Sequence, residues 1–335
     1  MRLHRPEGSG SKFNRRRWAS PAKLSVATLL GTALLLTSAT AWAITWSTKR
    51  SMPTARSHLA TASTGGRLYV LGGTPTAAAT LNYAYNPASN TWATKARMPT
   101  PRQDLAAVSV GGKIYAIGGL NPLTHTAVAT VQAYNPSTNS WTTRAPMHTA
   151  RAGLAAVVGS DGKIYAIGGW NTKNSFNDNI ALATVEAYNP ATNSWTAKRS
   201  MPTARYFLAA AADGSKIYAI DGVGTATNTV TATEAYTPAT NSWKALATLP
   251  GIGLEGLAAA SVGGKVYAIG GDDPDYVAHN QVWAYNPTSN TWTSRASMPT
   301  KRGFLAAAAL ASKVYAIGGD SGGIFGTPLA TVQRF

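Results

Sequence analysis

Five arginines occupy one place in a recurring motif: Arg56, Arg102, Arg151, Arg205 and Arg302 each follow a methionine by four residues, as in Met-Pro-Thr-Ala-Arg. A guanidinium is a planar fork that takes a carboxylate or sulfate in two parallel hydrogen bonds, so several on one surface would form an anion site. A sixth copy breaks the rule. Leu249-Pro250-Gly251-Ile252-Gly253-Leu254-Glu255 lacks the arginine, is one residue longer, and carries a glutamate. Glu255 can bridge cations or act as an acid or base. These six residues are the candidate ligand-binding set, and Glu255 is the only candidate for catalysis.

Other chemistry is sparse. The chain has no cysteine, which removes disulfides, thiolate metal sites and thiol nucleophiles. His58, His125, His148 and His279 have no metal-ligand spacing. Asp272-Asp273-Pro274-Asp275 and Asp320 lack the alternating oxygen ligands and fixed glycine of a calcium loop and read as surface turns. No metal and no cofactor are expected. The formal charge of +17 falls to +11 beyond residue 43, and its Lys and Arg are spread at one or two per repeat. Acidic partners are favoured, but nucleic acid is not, because no basic stripe with interleaved aromatics exists.

The elements that must position these residues repeat six times. Glycine pairs at Gly72-Gly73, Gly118-Gly119, Gly168-Gly169, Gly270-Gly271 and Gly318-Gly319, with Asp221-Gly222 as the degenerate member, recur every 46 to 53 residues. Each is preceded by an alanine-rich strand such as Leu105-Ala106-Ala107-Val108, a tight turn, and a continuously apolar strand such as Lys113-Ile114-Tyr115-Ala116-Ile117. Small side chains suit crowded strands at an axis, and unbroken apolarity suits a strand covered on both faces. A third strand ends in Tyr-Asn-Pro, at Tyr85, Tyr134, Tyr188, Tyr236 and Tyr285. A turn then leads to an outer strand opened by Trp92, Trp141, Trp195, Trp243 or Trp292. Its asparagine (Asn90, Asn139, Asn193, Asn241, Asn290) tolerates the left-handed conformation that closes a short hairpin.

Diglycine, then Tyr, then Trp six or seven residues later resembles the Kelch family over residues 44–335. The resemblance implies an all-β, six-bladed propeller of four-stranded antiparallel blades, in which the Tyr and Trp are packing anchors. The last copy stops at Phe335 without its Trp strand, and Thr45-Trp46-Ser47-Thr48 matches that missing strand. Residues 44–49 are therefore expected to pair with 328–335 and close the ring, so that the N-terminal strand completes the last blade.

In such a ring the arginines precede the innermost strands, around one mouth of the central channel. Related Kelch domains use arginines there to hold partner carboxylates, which makes an acidic glycan or protein segment the expected ligand. The alternative is that each arginine bonds loop carbonyls of the next blade and only cements the ring. Copper radical oxidases share the propeller, but their cofactor needs a cysteine cross-link. The periplasmic sialate mutarotases are a closer enzymatic resemblance, with Glu255 as acid or base. A structural scaffold binding protein through its variable loops is the third reading.

Residues 1–43 form a separate segment. Arg2, Arg5, Lys12, Arg15, Arg16, Arg17 and Lys23 precede an uncharged apolar run from Leu24 to about Thr40 that ends in Ala41-Trp42-Ala43. This is the layout of an export signal cleaved before Ile44, with an uncleaved signal anchor as the rival and the only route to a membrane. Asn14-Arg15-Arg16-Arg17-Trp18-Ala19 resembles a twin-arginine motif. The expected product is a secreted or cell-surface, extracytoplasmic monomeric binding module.

Overall fold

Alanine-rich inner strands, apolar second strands and Tyr-ending third strands assemble as six separate four-stranded antiparallel sheets in the computed structural model, which describes residues 45–172, 179–225, 228–323 and 326–335. The expected export segment, residues 1–43, lies outside them. Blade one runs Ala60–Thr64, Arg67–Leu71, Asn82–Asn86, Thr91–Thr94 from axis to rim. The following blades begin with the inner strands Ala106–Val110, Ala155–Val158, Ala209–Ala212, Ala258–Val262 and Ala306–Leu310.

Blade six takes its outer strand from the N-terminal side. Ser47–Lys49 pairs antiparallel with Val332–Arg334, in the register Ser47 to Arg334, Thr48 to Gln333 and Lys49 to Val332. The expected closure is thus present, over three residues of the stretch 44–49. Trp46 completes it, donating from Nε1 to the Ala296 carbonyl at 2.8 Å and packing on Phe335 with ring centroids 5.2 Å apart.

Among the described residues the largest apolar clusters are six, each spanning the seam between consecutive blades. Tyr69 of blade one, for example, meets Tyr134 of blade two at 5.8 Å. Because each blade is buried only by its neighbours, an open ring would leave two apolar faces in water, and closure is what covers them.

The diglycines tie the seams together. Gly72 and Gly73 sit at φ +58° and +100°, and a Cβ on Gly72 would fall 2.3 Å from the Arg102 carbonyl oxygen of blade two. With no side chain there, the Gly73 N–H reaches that same carbonyl at 3.0 Å. The equivalent bond recurs in all six seams: Gly119 to Arg151, Gly169 to Arg205, Gly222 to Leu254, Gly271 to Arg302 and Gly319 to Arg56.

At the rim the turn asparagines do more than accept a left-handed φ. Asn139 Oδ1 accepts from the Tyr134 hydroxyl at 2.7 Å and from the Ala96 N–H at 2.9 Å, while Trp141 Nε1 donates to the Ala96 carbonyl at 2.8 Å. The Tyr–Asn–Trp set is a belt linking each of blades one to five to the segment before it, with Phe335 and Trp46 in its place in blade six, and its residues are structural, as the resemblance implies.

Candidate functional site at the channel mouth

The five arginines are not at the mouth. All are 0% exposed. Arg102 Nη1 donates to the carbonyls of Ala116, Gly118 and Thr130, each at 3.1 Å, and Nη2 donates to Gln132 Oε1 at 2.7 Å. Arg151 holds the Gly168 and Thr184 carbonyls and pairs with Glu186; Arg205 holds those of Asp221 and Ala232 and pairs with Glu234 at 2.7 Å. Arg302 holds the Gly318 and Thr331 carbonyls and Gln333. Arg56 holds the Gly72 and Leu81 carbonyls and lies 4.7 Å over the Tyr83 ring.

The expected arginine-lined mouth is corrected by this geometry. Each guanidinium turns into its own blade, where second and third strands diverge, and it donates to carbonyls on both sides of the gap; the one before the third strand also accepts a backbone N–H, as Thr130 does from Gly118 at 3.0 Å. The cementing alternative is also amended. The side chain braces its own blade, and the backbone carbonyl of the same residue grips the neighbouring one. A periodic signal was available: Gln132, Glu186, Glu234 and Gln333 all stand two residues before the third-strand aromatic position, and blade five, which has no arginine, has Trp283 there.

Glu255 does reach the mouth. It lines a cavity of about 580 Å³ with Ser57, His58, Thr74, Tyr206, Phe207, Val223, Asp272, Tyr276, Phe304 and Asp320 among its walls. Among the described residues the lining contains no Lys or Arg, so Glu255 faces carboxylates, not the guanidinium groups expected around it.

Two rings of residues build the walls. The residue after each diglycine (Thr74, Leu120, Trp170, Val223, Asp272, Asp320) bridges antiparallel to the residue after each arginine position (Ser57, Gln103, Ala152, Tyr206, Glu255, Gly303). Going around the axis, blades two to four contribute mainly apolar side chains, with Ala152, Trp170, Tyr206 and Val223 in one cluster. Blades five, six and one contribute Glu255, Asp272, Asp320, Ser57 and Thr74. The mouth is therefore two-faced.

The aspartates read as surface turns are buried instead: Asp272 is 1% exposed and Asp320 5%, while Asp275 is exposed. Burial, reinforced by Asp320, Glu255 and Asp273, pushes the Asp272 carboxyl up to about 7. Burial also raises Glu255 to about 7 and raises Asp320, against the opposing pull of His58. Among the described residues no group of three His, Asp or Glu side chains is placed to share a metal ion.

The floor is a third ring, one residue further on: His58, Asp104, Gly153, Phe207, Gly256 and Phe304, all at φ between 47° and 60°. Their backbones run head to tail around the axis. The N–H of His58 bonds the Phe304 carbonyl, and Asp104, Gly153, Phe207 and Gly256 bond His58, Asp104, Gly153 and Phe207 in turn, at 2.8 to 3.0 Å. Three of the side chains plug the channel. His58 stacks on Phe304 at 4.1 Å, and Phe207 stands edge-on to Phe304 at 5.0 Å. His58 Nδ1 meets Asp104 Oδ1 at 2.5 Å; burial opposes its charge, but Asp104, with Asp320 and Asp272, raises its pKa. Beyond the plug the channel is lined by alanines and small residues of the inner strands.

Tyr206, Phe207, Phe304 and Asp104 were not singled out from sequence. They occupy the two positions after each arginine, which vary (Ser-His, Gln-Asp, Ala-Gly, Tyr-Phe, Gly-Phe) inside an otherwise constant motif. Variability at a fixed place in a repeat was the signal that would have found them.

Six four-stranded blades closed around a plugged axial channel define a β-propeller. The chain belongs to the Kelch-repeat family: a family model described as the KLHDC2/KLHL20/DRC7 Kelch-repeats domain matches residues 106–319. No curated protein matches it. Among solved structures it is similar to one titled "Structure of YjhT", at TM-score 0.74 and 18% identity over 85% of this chain and 95% of that one. At that identity the likeness shows the fold. As a Kelch propeller the protein has the architecture of an interaction module.

Proposed function

We propose that this protein is an extracytoplasmic binding module, exported by its N-terminal segment and monomeric, whose ligand seats in the mouth of the propeller. The observation that carries the reading is the plug of His58, Phe207 and Phe304, which makes the mouth a blind cavity walled by aromatic rings on one side and carboxyl groups on the other. An acidic glycan or peptide, the ligand suggested by the arginines, loses its support because those arginines are sealed inside their blades. A thermal-shift panel of neutral, acidic and basic sugars and peptides tests the module on wild type and Tyr206→Ala. Binders should raise the wild-type melting temperature and lose that effect in the variant; no shift with any compound, or shifts indifferent to Tyr206, would sink it.

A second reading rests on Glu255. A carboxyl raised to about 7 beside a second raised carboxyl, Asp272, suits proton transfer near neutral pH. A sugar mutarotase would then accelerate anomer exchange of sialic acid, and Glu255→Gln would abolish it. Unchanged exchange rates with wild-type protein would remove this reading.

A further inference from the structure

Asp272 lies under two opposing demands. Its carboxyl group is almost wholly removed from solvent, and Oδ1 has no protein donor within hydrogen-bond distance. The group lies against Gly303, where a Cβ would come within van der Waals overlap of that oxygen, so the absence of a side chain at 303 is what makes its place. Its backbone is held on both sides, bridged to Glu255 and to Ala278, so the side chain cannot withdraw by a shift of the loop. Asp320, in the same position of the next blade, bridges to Gly303. Three carboxyl side chains thus converge on one wall, and among the described residues the one imidazole lining the cavity, His58, is already engaged with Asp104. Buried carboxyl groups without a cation are costly and take up protons, and a partner that supplies a cation relieves the same cost.

The adjoining wall, from blade four, narrows the kind of cation. Tyr206, Phe207 and Val223 line the same cavity, as does the exposed Tyr276. A bare metal ion would find no set of three ligands there among the described residues, and no use for that apolar wall. An anion would meet carboxylates and, among the described residues, no Lys or Arg. Building on the reading of the mouth as a binding site, we propose that it takes an organic cation, an amine carried on an apolar body. The ammonium sits against Asp272, Asp320 and Glu255, and the body lies on Tyr206, Phe207 and Val223. The ammonium supplies three donors to a wall rich in acceptors, and the aromatic faces favour the positive end as well.

Proton linkage gives this proposal an independent signature. The groups facing the ammonium are Asp272, Asp320 and Glu255, with His58 on the blade-one side, Asp104 behind it, the Asp273–His279 pair behind Asp272, and the hydroxyls of Tyr206 and Tyr276. A cation bound among carboxyl groups favours their ionised form and expels protons. Affinity for an amine should therefore rise between pH 5 and 8, with proton release measurable from the buffer dependence of the binding heat.

The test is isothermal titration calorimetry on the purified protein with benzylamine, benzyl alcohol and phenylacetate, which share an apolar body and differ in charge. Benzylamine should bind at least about tenfold more tightly than the other two, and Asp272→Asn and Glu255→Gln should each weaken it by about tenfold, the loss of one charge-assisted contact. Melting temperatures show whether each variant folds; if Asp272→Asn does not, Glu255→Gln and Asp320→Asn decide. Equal or tighter binding of phenylacetate or benzyl alcohol would overturn the cation while leaving the binding mouth standing, provided Tyr206→Ala abolishes it. Calcium chloride that displaces benzylamine would overturn the organic cation in favour of a metal. Silence from all three compounds would overturn the organic cation, and the thermal-shift panel would then decide the binding mouth separately.

Discussion

The backbone N–H of Leu254 donates to the carboxylate of Asp221 at 3.3 Å, and this contact joins the two departures from the repeat. In the other seams the N–H at Leu254's position goes to a backbone carbonyl of the preceding blade, as from Arg102 to Ala79 at 2.9 Å. Blade five has a longer lead-in, with Leu249 for the methionine and Leu254 for the arginine. Blade four answers with an aspartate where a glycine belongs, at φ 47°. The lost glycine and the lost arginine are one local solution, and the Gly222 N–H still reaches the Leu254 carbonyl at 2.9 Å.

Asp221 is 0% exposed, and burial pushes its carboxyl from 3.8 up to about 7. A carboxyl whose folded pKa lies above its unfolded value binds its proton more tightly in the native state. Its contribution is greatest in acid and is lost as pH rises from about 4 towards 7. Asp272, Glu255 and the raised His58 act with the same sign. Stability should fall from pH 5 to pH 8. Asp221→Asn, which keeps an acceptor for Leu254, should flatten that fall by up to about 1.4 kcal/mol per pH unit. Urea denaturation across the range measures it, and equal slopes for both proteins would refute the assignment.

Arg151 and Glu186 test the role of the buried arginines. Arg151→Met leaves Glu186 buried without its cation and should cost about 3–5 kcal/mol, whereas Arg151→Met with Glu186→Met should cost less than the single change. The double variant is not expected to reach wild type, since the N–H groups of His148 and Thr149 also donate to Glu186. Chemical denaturation separates the cases; a harmless Arg151→Met would mean that the arginine does not brace its blade.

Ring closure rests on few residues and should be sensitive to them. Trp46→Ala removes the bond to Ala296 and the packing on Phe335, for an expected loss of about 2 kcal/mol or more. Deleting residues 44–50 should lower the melting temperature further, because it also exposes the edge of Val332–Arg334. A deletion variant that melts with wild type would contradict closure by this strand.

The plug can be followed through His58. Its folded pKa is raised above 6.5 against the effect of burial, by Asp104 above all. Imidazole titration by NMR should place it above 6.5 in wild type and lower in Asp104→Asn. The pairing stabilises the fold below pH 6.5 and is lost as pH climbs through the folded value. A wild-type His58 that titrates below 6.5 would show that the Asp104 contact does not form in solution.

The repeat count, the strand order within a blade and the strand around Trp46 were legible in the chain because each depends on local patterning. Glycine pairs mark places where neighbouring backbone leaves no room for Cβ, and apolar runs mark strands covered on both faces. The Tyr and Trp positions were legible as anchors for the same reason. The periodicity of the arginines was equally visible, and their destination was not. Whether a side chain at the start of an inner strand points to the channel or into the blade depends on where the acceptor carbonyls of the second strand and of the third-strand lead-in converge in the assembled blade.

Only the assembled ring decided the chemistry of the mouth. Asp272, Asp320 and Glu255 are up to 65 residues apart in the chain, and nothing in their own segments indicates that they meet. They share a wall because consecutive blades turn equivalent positions towards one axis, and their depth follows from loops that pack over them. The amino-acid sequence by itself determined a closed Kelch propeller, through spacing, small residues and turn chemistry. Tertiary structure exchanged a basic mouth for an acidic, two-faced one, because burial and charge are properties of what surrounds a side chain.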